Sequence, residues 1–70
     1  MFDIGMGVVR PYASGRVGVG EISSIHDDAD GETLITVMYN DGAVKVYTEN
    51  AIMKNLGRRI IVTETSFSTT

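Results

Sequence analysis

The dipeptide Asp41-Gly42 constrains this chain more than any other feature, because it lies between two runs rich in β-branched and aromatic residues. The run before it, Glu32 to Asn40, puts Thr33, Ile35, Val37 and Tyr39 on one face and Leu34, Thr36 and Met38 on the other. The run after it, Ala43 to Thr48, alternates too. A period of two marks a strand, and Asp-Gly between two such runs predicts a hairpin with a two-residue type I′ turn. That register is expected to point Val44 and Val46 inward and Lys45 and Tyr47 outward.

Other turn signals divide the remaining chain. A first strand is expected from Ile4 to Arg10, with Ile4, Met6 and Val8 on one face and Pro11 ending it or placing it at an edge. Tyr12 to Gly15 reads as a loop. A second strand is expected from Arg16 to Ile25. Val17 and Val19 share a face, but the next inward residues are Ile22 and Ile25, so the phase slips. A β-bulge or sharp coil at Gly18 and Gly20 is expected to absorb the slip, as in a long strand serving both halves of a small barrel. His26 to Gly31 (HDDADG) is a loop. A short helical turn is predicted over Asn50 to Leu56, capped by Thr48 or Glu49, with Ile52 and Leu56 on one side and Gly57 as its stop. The last strand is placed over Arg58 to Glu64. The expectation is one all-β domain over residues 1–64, five-stranded with one short helical turn before the last strand, and a polar tail over 65–70.

Seventy residues hold only a thin core. Small scaffolds often add a disulfide, a metal or a partner chain. The chain has no cysteine and one histidine, His26, so disulfides, thiolate sites and multi-histidine zinc sites within one chain are excluded. Good local packing and homo-oligomerisation remain as routes to stability. The absence of cysteine fits the cytoplasm. No apolar run approaches the roughly 20 residues of a membrane helix, and no signal-peptide pattern opens the chain. The formal charge is −3. Residues 1–35 carry six acidic side chains against two arginines, and residues 36–70 carry three against four basic ones. A net acidic domain makes a poor general nucleic-acid binder, since that affinity comes from neutralising phosphates.

Three stretches carry a resemblance: Gly15-Arg16-Val17-Gly18-Val19-Gly20-Glu21-Ile22, then Ile35 through Gly42, then Val44-Lys45-Val46-Tyr47 followed by Ala51-Ile52 and Leu56. Over about residues 4–64 this order resembles an SH3-like barrel of the Tudor and KOW type. The resemblance implies a ligand groove at one end of the barrel, often an aromatic cage for a methylated lysine or arginine. Tyr39 and Tyr47 match aromatic positions beside the hairpin, and Tyr12 approaches from the first loop. The chain has no tryptophan to complete such a cage.

Catalytic and metal motifs are incomplete. Aligning Gly31 to position six of a calcium loop puts His26 at one and Val37 at twelve, so both end ligands fail. Gly18-Val19-Gly20 and Gly5-Met6-Gly7 lack the third glycine of a dinucleotide loop, and neither opens a helix. Ser23 and Ser24 precede His26 too closely to define a triad. Neither enzymatic activity nor a cofactor or metal is expected. The expected function is binding to a protein partner, with Tyr12, Tyr39, Tyr47, Asp27, Asp28 and Asp30 as candidate contacts. A small phage protein that occupies the surface of a host defence or polymerase complex would have this size and architecture. Two alternatives stand beside it. One is a KOW- or Lsm-like nucleic-acid binder using Arg10, Arg16, Arg58 and Arg59. The other is an oligomeric sponge that holds a nucleotide. Lys54, Arg58 and Arg59 also suit a simpler task, solvating an edge strand.

Overall fold

The computed structural model describes residues 2–63. They form β1 (Gly7–Pro11), β2 (Val17–Asp27), β3 (Thr33–Tyr39), β4 (Val44–Thr48), α1 (Glu49–Asn55) and β5 (Ile61–Thr63). The five strands make one antiparallel sheet in the order β4-β3-β2-β1-β5. The chain thus meanders through four strands, then α1 returns it to the far edge beside β1. The fold is all-β with one short helix before the last strand, as the residue pattern predicts. Glu64 and the tail over 65–70 lie outside the described residues.

β2 is the hinge of the architecture. Its residues Val17 to Glu21 pair with β1, and Gly20 to Asp27 pair with β3. A strand shared this way must bend, and the bulge falls between Ile22 and Ser24, not at Gly18 and Gly20 as expected. Ser23 is the extra residue; it points out and its Oγ donates to the Thr36 carbonyl at 3.3 Å. With Ser23 unpaired, Ile22 and Ile25 both turn toward the core. Gly20 serves another need. A Cβ there would collide with the Met38 carbonyl oxygen and lie 2.8 Å from the Tyr39 Cα. Only glycine lets the two backbones approach so closely.

The hairpin after β3 differs from the expected one by a single residue. A type I′ turn needs positive φ at both central positions. Gly42 has it, at 92°, but Asp41 does not. Instead Gly42 N donates to Tyr39 O at 3.0 Å and Tyr39 N donates to Ala43 O at 2.8 Å. This is a three-residue loop, a type I turn closed by a glycine bulge. The extra loop residue pairs Val44 with Met38, not with Tyr39. A one-residue slip reverses the facing of a strand. Val44 and Val46 therefore point outward, 52% and 59% exposed, while Tyr47 turns in to pack on the core beside Ile35.

The same turn occurs three times. Gly15 N and Gly31 N donate to Tyr12 O and Asp28 O, and Tyr12 N and Asp28 N donate to Arg16 O and Glu32 O. Gly15, Gly31 and Gly42 all have positive φ. This geometry denies the next residue's N–H its cross-strand acceptor. A side-chain oxygen takes it each time: Ser14 Oγ for Arg16, Asp28 Oδ1 for Glu32, Asp41 Oδ1 for Ala43.

The core is Val8, Ile22, Ile35, Val37, Tyr39, Ile52 and Ile60. Thr48 caps α1 through Oγ1, which accepts from Ala51 N at 3.1 Å. The helix stops one residue before Leu56, whose backbone is extended, so Leu56 is exposed and does not join Ile52 in the core as expected. β1 also starts late. Ile4 and Gly5 form a turn, with Gly5 at positive φ, and Ile4 is 65% exposed instead of sharing a face with Val8. Arg58 and Arg59 lie in the turn before β5, where their N–H groups and that of Ile60 share the Asn55 carbonyl.

Candidate functional site

In a meander, alternate turns fall at the same end of the sheet. The Tyr12–Arg16 turn and the Tyr39–Ala43 turn are therefore neighbours, joined where Asn40 N donates to Val19 O at 2.7 Å. The turn between Asp28 and Glu32 lies at the opposite end of β2. This separates the sequence candidates. Tyr12, Tyr39 and Tyr47 come together, and Asp27, Asp28 and Asp30 stand apart from them.

Two of the acids at the far end, Asp27 and Asp28, serve local structure. Asp28 Oδ1 accepts from Asp30 N at 2.9 Å and Glu32 N at 3.0 Å, and Asp27 Oδ1 accepts from Thr33 Oγ1 at 2.8 Å. Among the described residues, no group of three metal-ligating side chains gathers.

The tyrosine end is built from the last positions of the core-facing rows. Val8 is buried, and two residues on, Arg10 reaches the rim of the same face. Ile35, Val37 and Tyr39 make the equivalent row on β3. Arg10 pairs with Gly18. Having no side chain, Gly18 leaves room for rings above it: a Cβ would lie 3.1 Å from Tyr12 Cε2 and 3.4 Å from Tyr39 Cδ1. Arg10 Nη1 donates to Tyr47 Oη at 2.8 Å, and the Tyr39 and Tyr47 hydroxyls are hydrogen-bonded at 3.0 Å. The guanidinium carbon lies 5.3 Å from the Tyr12 ring centroid and 5.9 Å from that of Tyr47, both within cation–π range.

Sequence reasoning assigned Arg10 and the tyrosines to different ligands; the fold makes them one cluster. The cation that the rings face is the chain's own. A methylated lysine or arginine would have to displace Arg10 from two rings and a hydrogen bond. Burial works against the charged guanidinium, but Tyr47, with smaller help from Tyr12 and Tyr39, outweighs it and raises the Arg10 pKa. Burial, then the hydrogen bond to Tyr47, pushes the Tyr39 phenol well above its ordinary range. Both groups keep their protons at neutral pH, so Arg10 is a fixed positive charge beside the Tyr39 hydroxyl.

Beside the cluster opens a depression of about 410 Å³, lined by Tyr12, Ser14, Arg16, Val17, Gly18, Val19, Asn40 and Asp41. Arg16 and Asp41 put opposite charges on its rim. Sequence reasoning placed Tyr12 and Arg16 among the candidates but missed Ser14, Asn40 and Asp41. The signal was the meander itself, which brings the first and third turns together. The other two basic candidates also belong to this end. β5 pairs Ile61 with Val9, so the turn holding Arg58 and Arg59 enters beside the end of β1 that carries Arg10.

No protein-family model, curated protein or solved structure matches this chain. No described helix is long and apolar enough to cross a membrane.

Proposed function

We propose that this chain is a non-enzymatic binding module that engages a protein partner at its tyrosine end. The carrying observation is the lining of the depression. It combines an aromatic ring, a cation, an anion, an amide and a glycine in Tyr12, Arg16, Asp41, Asn40 and Gly18. Mixed charges around an aromatic anchor suit a protein segment, which also carries both signs and an amide backbone. A polyanion would meet Asp41 unfavourably. The order of elements supports treating the fold as an SH3-like barrel of the Tudor and KOW type, with Arg10 occupying the place of a cage ligand.

Affinity capture with four forms of the protein tests this. A partner retained by the wild type and by Asp30→Asn, but lost with Tyr12→Ala and with Arg16→Glu, is the expected result. A partner lost only with Asp30→Asn would move the site to the other end, and loss with none of the three would refute a site at either.

A second reading, nucleic-acid binding, is favoured by one observation: strand pairing gathers Arg10, Arg16, Arg58 and Arg59 at one end. It predicts affinity that falls steeply with salt and a shallower salt slope in Arg58→Gln/Arg59→Gln. An unchanged slope in that variant would end it.

A further inference from the structure

The outer edge of β4 carries a self-complementary pattern. Tyr39 and Ala43 form the pair that closes the hairpin ladder, since Tyr39 N bonds Ala43 O. Antiparallel ladders alternate hydrogen-bonded and non-bonded pairs. With Val37 opposite Lys45 and Ile35 opposite Tyr47, the main chains of Lys45 and Tyr47 turn toward β3. Those of Val44 and Val46 turn outward, as does the Thr48 N–H, while the Thr48 carbonyl belongs to the first turn of α1; among the described residues no strand pairs with that edge. The outer face beside it is apolar: Met38, Val44 and Val46 are 51%, 52% and 59% exposed. Proline or a bulge would protect such a strand, and β4 has neither; its one charge, Lys45, lies on the opposite face from Val44 and Val46.

We infer that β4 is a dimerisation edge that pairs antiparallel with β4 of a second copy about a two-fold axis at Val46. Three constraints select this register. Only a centre at Val46 pairs all five residues of the strand, setting Val44 opposite Thr48, Lys45 opposite Tyr47 and Val46 opposite itself. It makes the outward-facing residues the hydrogen-bonded pairs, as their backbones require. It also sets Lys45 against the tyrosine of the other copy, whereas a centre at Lys45 would oppose two like charges. Val44 and Val46 of both copies then form one apolar stripe along the joint. The contact is isologous, so it closes at two copies. It is also short, so the dimer forms reversibly with concentration.

The cysteine-free chain allows a direct test. In the proposed register the two Val46 Cα atoms lie about 5.5 Å apart, inside the disulfide range. The two Val44 Cα atoms lie about 14 Å apart, beyond it. Under mild oxidation Val46→Cys should cross-link and Val44→Cys should not. Light scattering of the wild type should rise from 7.6 kDa toward twice that value as concentration increases. Val46→Lys, at a position already exposed, should keep the fold by circular dichroism and stay monomeric. Equal cross-linking of the two cysteine variants would overturn the register. A wild type that stays monomeric at millimolar concentration would overturn the dimer. A monomer whose Val44 and Val46 amides resist hydrogen exchange, and lose that protection when residues 64–70 are removed, would assign the edge to that segment instead.

Discussion

Two glycines two residues apart illustrate how differently a missing side chain can act. Gly20 is where β2 and β3 touch through backbone, and a methyl group there meets the Met38 carbonyl, which the ladder holds fixed. Gly18 faces the ring of Tyr12, an exposed residue, at a distance that a shift of a few tenths of an ångström in that side chain relieves. Gly20→Ala should therefore cost roughly 1–3 kcal/mol or more in urea unfolding, in the overpacking range. Gly18→Ala should cost less than Gly20→Ala while displacing Tyr12, so partner capture falls with the fold intact. The tyrosines give a pH dependence. Tyr39 has a higher pKa folded than unfolded, so its contribution is fully present below about pH 10, the unfolded value, and is lost as pH rises toward the folded value. Thermal midpoints should thus decline above about pH 10 in the wild type and less steeply in Tyr39→Phe. At this scale the sequence drew out Arg10 and the three tyrosines as candidates, but for different ligands and without their mutual contact. That contact depends on Gly18 leaving space between strands, which no local pattern encodes.

Strand, turn and helix identities were legible because alternation and turn chemistry are local. Their phases were not, because phase depends on a single residue. Asp-Gly between strands suits both a two-residue and a three-residue loop, and the choice decides whether Val44 or Tyr47 faces the core. The three turns here settle it alike: each pairs a positive-φ glycine with a side-chain oxygen that caps the following N–H. Gly42→Ala should cost about 1–2 kcal/mol, because a Cβ opposes the left-handed conformation. Gly42→Asn should recover part of that loss, a difference readable in urea midpoints. The bulge at Ser23 was misplaced for a related reason. Glycines drew attention to Gly18 and Gly20, yet the ladder itself breaks where Ile22 and Ile25 must both turn inward. At the last short element, Thr48→Ala removes the cap on α1 and should cost about 1 kcal/mol.

Across the whole molecule, the meander divides the candidates between two ends. One end gathers tyrosines, arginines and the depression; the other holds Asp27, Asp28 and Asp30, of which the Asp27 and Asp28 carboxylates bond within their own loop. Strand order was enough to foresee this division, since first and third turns must be neighbours. The net charge concealed it, because summing over the chain hides a basic end behind an acidic total. Arg10 links the fold to the site: Arg10→Ala removes one charged hydrogen bond and two ring contacts. It should cost roughly 1–3 kcal/mol in thermal or urea unfolding and loosen the tyrosines together.

The proposed binding of a partner at the tyrosine end puts Tyr12 against that partner and leaves Asp30 away from it. A photoreactive phenylalanine analogue in place of Tyr12, compared with the same group in place of Asp30, tests it most directly in a lysate that contains the partner. A discrete covalent protein adduct from position 12 and none from position 30 is the expected result. An adduct from position 30 alone, or from neither position, would contradict it.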